Sequence, residues 1–253
     1  MAPGPVFINS ENTHPLIPLI LYEDDHLIAV NKPSGMLAQD DSTGRASLAG
    51  LVTSYLEKGS SGGPLFCAAL HRLDRPVSGV MLFAKTGQAA SVLSSDIRQR
   101  RVQKFYCALV NPAPDAKCTD VWMELRQHYV RRRDRAYIVG GDTPGAAEVA
   151  LKYRVAQTDG MAALLLLELI TGRRHQIRVQ LSSIGMPING DRFYGSKEFT
   201  DDGIICLHAH HLCFNHPVTG GRMTVSAPLP PHMNGIAVTS QEIGDYLKGL
   251  RFT

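Results

Sequence analysis

The segment Met161 to Ile170 carries a single polar residue, Glu168, and is the longest apolar run in the chain. It falls far short of the ~20 apolar residues that cross a bilayer, so it reads as a strand buried in a soluble fold. Shorter runs of the same kind recur. Leu19 to Tyr22 and Leu27 to Val30 flank Glu23-Asp24-Asp25-His26 as a hairpin, and further strands are expected at Val80–Ala84, Val102–Val110, Val121–Leu125, Ala136–Val139, Glu148–Ala156, Ile204–Phe214 and Arg222–Ser226. Helical spacing is rarer. It appears at 48–56 behind Ser47 and at 89–97 behind Thr86, and a turn at Thr171-Gly172 enters a third helix that stops at Gly185. Strands outnumber helices and their connections are short, which gives an α+β fold with a mixed, largely antiparallel central sheet and flanking helices.

The 253 residues are 44% hydrophobic and 19% charged, which excludes wholesale disorder. Residues 1–18 read as an extended tail and 19–253 as one domain, with Ser60-Ser61-Gly62-Gly63-Pro64 as a loop inside it. Five scattered cysteines without a CxxC pair fit a reducing compartment. The N-terminus lacks the features of a signal or transit peptide, so a cytoplasmic location away from membranes is expected. A net charge of +3 permits nucleic acid as a partner without demanding it, and the distribution of arginine says more.

His71-Arg72-Leu73-Asp74-Arg75-Pro76-Val77-Ser78-Gly79 sets one carboxylate between two arginines in a turn-rich loop. Nearby cations favour the charged form that a nucleophile or general base needs. Charge spacing alone fits a surface ion pair better. In Thr171 to Leu181, Ile177, Leu181 and Ile184 form the apolar face and Arg178 lies beside it, one turn from Arg174. Arg178 either meets a fixed anion or runs its stem along the core edge with its head in water. Arg126, Arg131, Arg132, Arg133 and Arg135 cluster in an expected loop, and Arg98, Arg100, Arg101 and Lys104 cluster at a helix end. Both suit phosphate, and both also suit a solvated loop or a helix terminus. Cys206, His208, His210, His211, Cys213 and His216 supply metal-ligand types, but on a strand they divide between two sides, which favours structural or substrate-contacting roles.

Taken together these segments resemble an RluA-type pseudouridine synthase. The resemblance runs in order through Tyr22 to Gly35, His71 to Gly79, Lys104-Phe105-Tyr106-Cys107-Ala108, Gly172 to Leu181, Pro187 to Gly195, and Leu207-His208-Ala209 to Pro217. It implies isomerisation of uridine in structured ribosomal or transfer RNA, with no cofactor or metal, by a monomer reduced to the catalytic domain without the accessory N-terminal RNA-binding domain of many relatives. It implies Asp74 as the essential carboxylate, attacking ribose C1′ or assisting proton loss at C2′. Arg178 would pair with Asp74, and Tyr106 would stack on the uracil and help remove its C5 proton. Arg72 would fill the gap left by the flipped nucleotide. Leu207 is the candidate for the apolar surface under the ring, with Leu212 as competitor. Arg131, Arg132, Arg133, Arg174 and His175 complete the expected RNA contacts. Val77 stands where many relatives carry threonine. An RNA-remodelling protein and a metal-dependent hydrolase built on the histidines are the competing readings; retention of every reactive residue weighs against the first, and the split of the histidines against the second.

Overall fold

The computed structural model describes residues 14–59, 65–112, 117–119, 121–198 and 203–233. Most of the expected tail and the connector at 60–64 lie outside the described residues. The opening hairpin pairs β1 (Ile20–Glu23) with β2 (Leu27–Lys32), and Asp24 Oδ1 fixes its turn by accepting from the N–H groups of His26 and Leu27, both at 2.7 Å. Ser47 caps α1 (Leu48–Gly59) through the N–H of Gly50 at 3.0 Å. After β3 (Ala68–Ala69) and β4 (Ser78–Ala84), Thr86 caps α2 (Gly87–Arg98) through the N–H of Ala89 at 3.2 Å. Then come β5 (Gln103–Val110), β6 (Met123–Arg132), β7 (Arg135–Val139), β8 (Ala147–Thr158), β9 (Ala163–Leu169), α3 (Gln176–Ser183), β10 (Leu207–Asn215) and β11 (Arg222–Ser226).

Among the described residues the strands form one 11-stranded sheet, in the order β1-β2-β4-β10-β5-β9-β8-β6-β7, with β11 on β10 and β3 on β4. Every pairing is antiparallel except β4 with β10, so the sheet is mixed and largely antiparallel, as expected. Strand alternation sorts its core into two layers. Ile28, Val30, Met81 and Phe83 meet Leu48, Val52 and Leu56 of α1 on one face. Leu27, Ala29, Val80, Leu82 and Ala84 meet Ala89 and Leu93 of α2 on the other. Strands β2 and β4 are thus buried on both sides, which explains why they read as continuous apolar runs.

Two expectations need correction. Leu16 is fully buried in the first core layer and Ile17–Leu19 form a 3-10 turn, so the packed chain begins before Leu19. The arginine-rich stretch is a hairpin and not a loop, because β6 runs to Arg132 and pairs with β7 from Arg135. Charge conceals this strand. Tyr129 and Val130 are buried while Arg131 and Arg132 point to solvent, so burying two residues suffices to hold a basic strand in the sheet.

The parallel contact of β4 with β10 depends on Gly79. Its φ is +117°, and a Cβ there would lie 2.6 Å from Ala209 N and nearer still to the Ala209 carbonyl oxygen. A glycine is therefore required where the Asp74 loop enters the sheet. Gly79→Ala is expected to cost at least about 3 kcal/mol in urea denaturation, because backbone rather than a mobile side chain must shift. A loss below about 1 kcal/mol would show that the two strands part without penalty.

Candidate active site

The loop before β4, the start of β10, the middle of β5 and the entry to α3 converge on a cleft of about 430 Å³. Its lining includes Arg72, Asp74, Tyr106, Arg131, Arg174, His175, Arg178 and Leu207, so most of the residues singled out in the sequence meet here. Arg132 and Arg133 do not line it. Leu212 is separated from it, packed with Ala89 and Leu93 under α2, so that of the two leucines only Leu207 lines the cleft, together with Leu73, Val77 and Ile177.

The flanking arginines do not neutralise Asp74. Among the described residues its carboxylate faces Arg178 Nη1 at 3.5 Å and His175 Nε2 at 3.6 Å, while Arg72 and Arg75 are exposed. Arg178 in turn belongs mainly to Asp191, donating from Nε at 2.6 Å and from Nη2 at 2.8 Å to its two oxygens. Both partners are buried, with side-chain exposures of 7% and 1%. This two-pronged pair fixes the guanidinium plane and leaves Nη1 to reach Asp74. Burial opposes the charge on Arg178, but the bonds to Asp191 outweigh it and hold its pKa above the ordinary arginine value. Asp191 lies in the Pro187 to Gly195 segment, and nothing in the sequence pattern says that it turns inward.

His175 is fixed by Tyr194. The Tyr194 hydroxyl accepts the N–H of Ala136 at 2.9 Å and lies 3.0 Å from His175 Nδ1. Because Nε2 faces the Asp74 carboxylate, which can only accept, the proton of the neutral ring is assigned to Nε2, and this leaves Nδ1 to accept from the Tyr194 hydroxyl. Burial lowers the His175 pKa to about 4 against the pull of Asp74, so the ring is neutral at physiological pH. Its backbone is left-handed, φ 57°, at the residue before α3. Gln176 holds that turn. Its Oε1 accepts from Thr171 Oγ1 at 2.9 Å and from Arg173 N at 3.0 Å, and its Nε2 donates to Ala150 O and Gln180 Oε1. The amide thus draws the chain back on itself and leaves Arg173 and Arg174 exposed at the cleft.

The Asp74 loop is anchored from behind by Lys32, which is 0% exposed. Its ammonium donates to Met36 O at 2.8 Å, Pro33 O at 2.9 Å and Arg75 O at 3.1 Å. Burial lowers its pKa to about 7, opposed by the Asp74 carboxylate. His71 accepts the N–H of Leu82 at Nε2, 3.2 Å away, and burial lowers its pKa to about 3, so it ties the loop to β4 as a neutral ring. Tyr106 sits on β5 facing the cleft, and burial together with the Asp74 charge pushes its phenol well above the ordinary tyrosine range.

The remaining candidates have other work. Arg126 pairs with Glu124 at 2.5 Å and Glu148 at 3.0 Å, and Arg135 lies over the rings of Tyr137, Phe193 and Tyr194. His208 bonds Ser78 Oγ at 2.8 Å, His210 bonds Ala227 O at 2.6 Å and His216 bonds Asp24 at 2.8 Å, joining β10 to its neighbours. Among the described residues no group of three or more His, Cys, Asp or Glu is placed to hold a metal. Nor is any helix among them long and apolar enough to cross a membrane.

Human RNA pseudouridylate synthase domain containing 4 superposes with a TM-score of 0.69 at 24% identity, covering 86% of this chain and 91% of that one. Human RNA pseudouridylate synthase domain containing 1 gives 0.68 at 20% identity, covering 95% and 98%. At such identities these likenesses establish the pseudouridine synthase fold. The family model described as RNA pseudouridylate synthase matches residues 26–183. Ribosomal large subunit pseudouridine synthase C of Vibrio cholerae is 34% identical over 222 residues, which are 85% of this chain and 66% of that protein. The protein of the same name from Escherichia coli K12 is 34% identical over 224 residues, 85% and 67% of the two chains. The chain therefore belongs to the RNA pseudouridylate synthase family, isomerases of uridine in RNA. It spans about two thirds of the length of those two relatives.

Lys32→Met tests the anchoring of the loop. It strands the Pro33 and Met36 carbonyls, while Arg75 O keeps the N–H of Gly35 at 2.9 Å, and is expected to cost about 3 kcal/mol in urea denaturation. A stability equal to that of the parent protein would show that the buried ammonium contributes nothing net.

Proposed function

We propose that this chain converts uridine to pseudouridine in structured RNA, with Asp74 as the essential carboxylate. The observation that carries the reading is the cleft itself: a carboxylate lies opposite Arg178 Nη1, whose guanidinium is fixed by Asp191, with Tyr106 and Leu207 beside it and exposed arginines at its rim. Asp74 either attacks C1′ of the ribose or assists proton loss at C2′ as the bond from C1′ to N1 breaks. The uracil then turns and C5 bonds to C1′, displacing Asp74 if it had attacked there or with the C2′ proton returned if it had been taken. C5 gives up its proton to solvent and N1 takes one up, so that product and substrate are isomers. Atoms balance without a cofactor.

The target nucleotide must leave its stack to reach Asp74, at a cost of a few kcal/mol. Stacking on Tyr106 and contacts to phosphate offset that cost. A phenol held protonated by burial and by Asp74 supports the stacking role of Tyr106 and argues against its taking the C5 proton. Arg72, exposed on the loop two residues from Asp74, suits the space left by the flipped base. Arg131 and Arg174 line the cleft and suit the flanking phosphates, whereas Arg132 and Arg133 extend that basic surface outside it. The names of the similar bacterial proteins favour large-subunit ribosomal RNA over transfer RNA as the substrate. We place the reaction in the cytoplasm, carried out by a monomer whose single catalytic domain includes Leu16 and the 3-10 turn ahead of β1.

Pseudouridine mapping of total RNA from cells with and without the gene is expected to lose at least one site in large-subunit ribosomal RNA, restored by the native gene and not by Asp74→Asn. Restoration by the Asn variant would remove Asp74 from the chemistry. Arg131→Gln is expected to weaken RNA binding and to reduce the slope of log affinity against log salt by ~1, as removal of one phosphate contact requires. Unchanged binding across a salt series would exclude Arg131 from the RNA path.

A further inference from the structure

The second basic cluster, at the end of α2, lies beside the cleft and has no part in the chemistry above. Arg101 is spent on Asp96, with Nε donating to Oδ1 at 3.0 Å. The side chains of Arg98, Arg100, Lys104 and Arg173 have no hydrogen bond or ion pair among the described residues. All four line a second cavity of about 380 Å³. It shares Ile97, Lys104, Leu169, Gly172 and Arg173 with the active-site cleft, so the two spaces have a common wall. Its one carboxylate, Glu148, is already held by Arg126 at 3.0 Å.

Two further observations mark this cavity as built for an anion. Lys104 stands two residues before Tyr106 on β5, on the same side of the strand and at the wall common to both cavities, and burial lowers its pKa. The end of α2 closes in a Schellman turn, with Arg101 N bonded to Asp96 O at 2.9 Å and Arg100 N to Ile97 O at 3.2 Å. That turn puts Arg100 at the left-handed position where helices prefer glycine, with φ 59°. An arginine there carries a conformational cost of about 1 kcal/mol. Among the described residues the other non-glycine residues at positive φ are His175, in the cleft, and Arg133, on the hairpin above it.

We propose that the second cavity is a phosphodiester subsite that takes the backbone of a nucleotide adjoining the flipped uridine, with Lys104 on the phosphate at the shared wall and Arg98 and Arg100 on the next. This rests on the reading of the neighbouring cleft as the uridine site. The test uses the shortest ribosomal RNA fragment around a mapped uridine that the native protein modifies, synthesised with a single neutral methylphosphonate at each position within three nucleotides of the target. Affinity is measured for the native protein and for the Arg98→Gln/Arg100→Gln double variant, both charges being on exposed side chains. The double variant is expected to bind about 10-fold more weakly, with a salt slope smaller by ~2. At one or two positions the methylphosphonate should weaken the native protein and leave the double variant unaffected. Equal salt slopes, or methylphosphonate losses identical in both proteins at every position, would overturn the subsite alone. Failure of the native protein to modify any ribosomal RNA would overturn the uridine reading and the subsite with it.

Discussion

The pair between Arg178 and Asp191 is the constraint on which the cleft depends. A guanidinium and a carboxylate taken out of water each cost several kcal/mol, and that cost is recovered only when geometry is good and further bonds are satisfied. Here two parallel bonds at 2.6 and 2.8 Å meet the first condition, and the remaining Nη1 meets the second by turning to Asp74 at 3.5 Å. The longer contact follows from the shorter ones. Arg178 is held where Asp191 puts it, so Asp74 faces a positive charge at 3.5 Å without the two-pronged clamp that Asp191 makes.

The rest of the fold serves to bring a loop, a helix and a short turn to that point. Lys32 fixes the back of the Asp74 loop through three carbonyls, and Gly79 lets β4 approach β10 directly behind it. Gln176 shapes the entry to α3, so that Arg178 points inward while Arg173 and Arg174 face the solvent side of the cleft. Rings and cations interleave at the edge: Arg178 and Arg135 both lie over Tyr194, at 5.0 and 5.4 Å, and this ties the β6–β7 hairpin to the site. A basic surface therefore rests on a rigid frame, which suits a substrate that arrives by charge and must then be placed by contact.

Much of this was legible in the sequence wherever one local force dominates. The hairpin at Asp24, the caps at Ser47 and Thr86 and the double-sided burial of β2 and β4 follow from short-range chemistry, and the residues that line the cleft followed from resemblance. What escaped depends on contacts distant in sequence or on charges in unexpected places. Asp191 looks like any turn aspartate until α3 is laid beside it. Lys32 stands at the head of the turn Lys32-Pro33-Ser34-Gly35, where a lysine is ordinarily exposed, and only the three carbonyls that meet it in the fold make its burial tolerable. The arginines of β6 read as a loop, because two buried neighbours are too few to show a period. Arg178 was expected to answer to Asp74, and it answers first to Asp191.

The central claim is that Asp191 acts on the reaction through Arg178. Single-turnover rates on one RNA fragment, measured for the native protein, Asp191→Asn, Arg178→Met and the double variant, test it most directly. Misplacing Arg178 is expected to slow the native background about 100-fold, and the same Asp191→Asn change should add almost nothing once Arg178 is methionine. An equal loss in both backgrounds would contradict the account, since Asp191 would then act on the reaction by a route of its own.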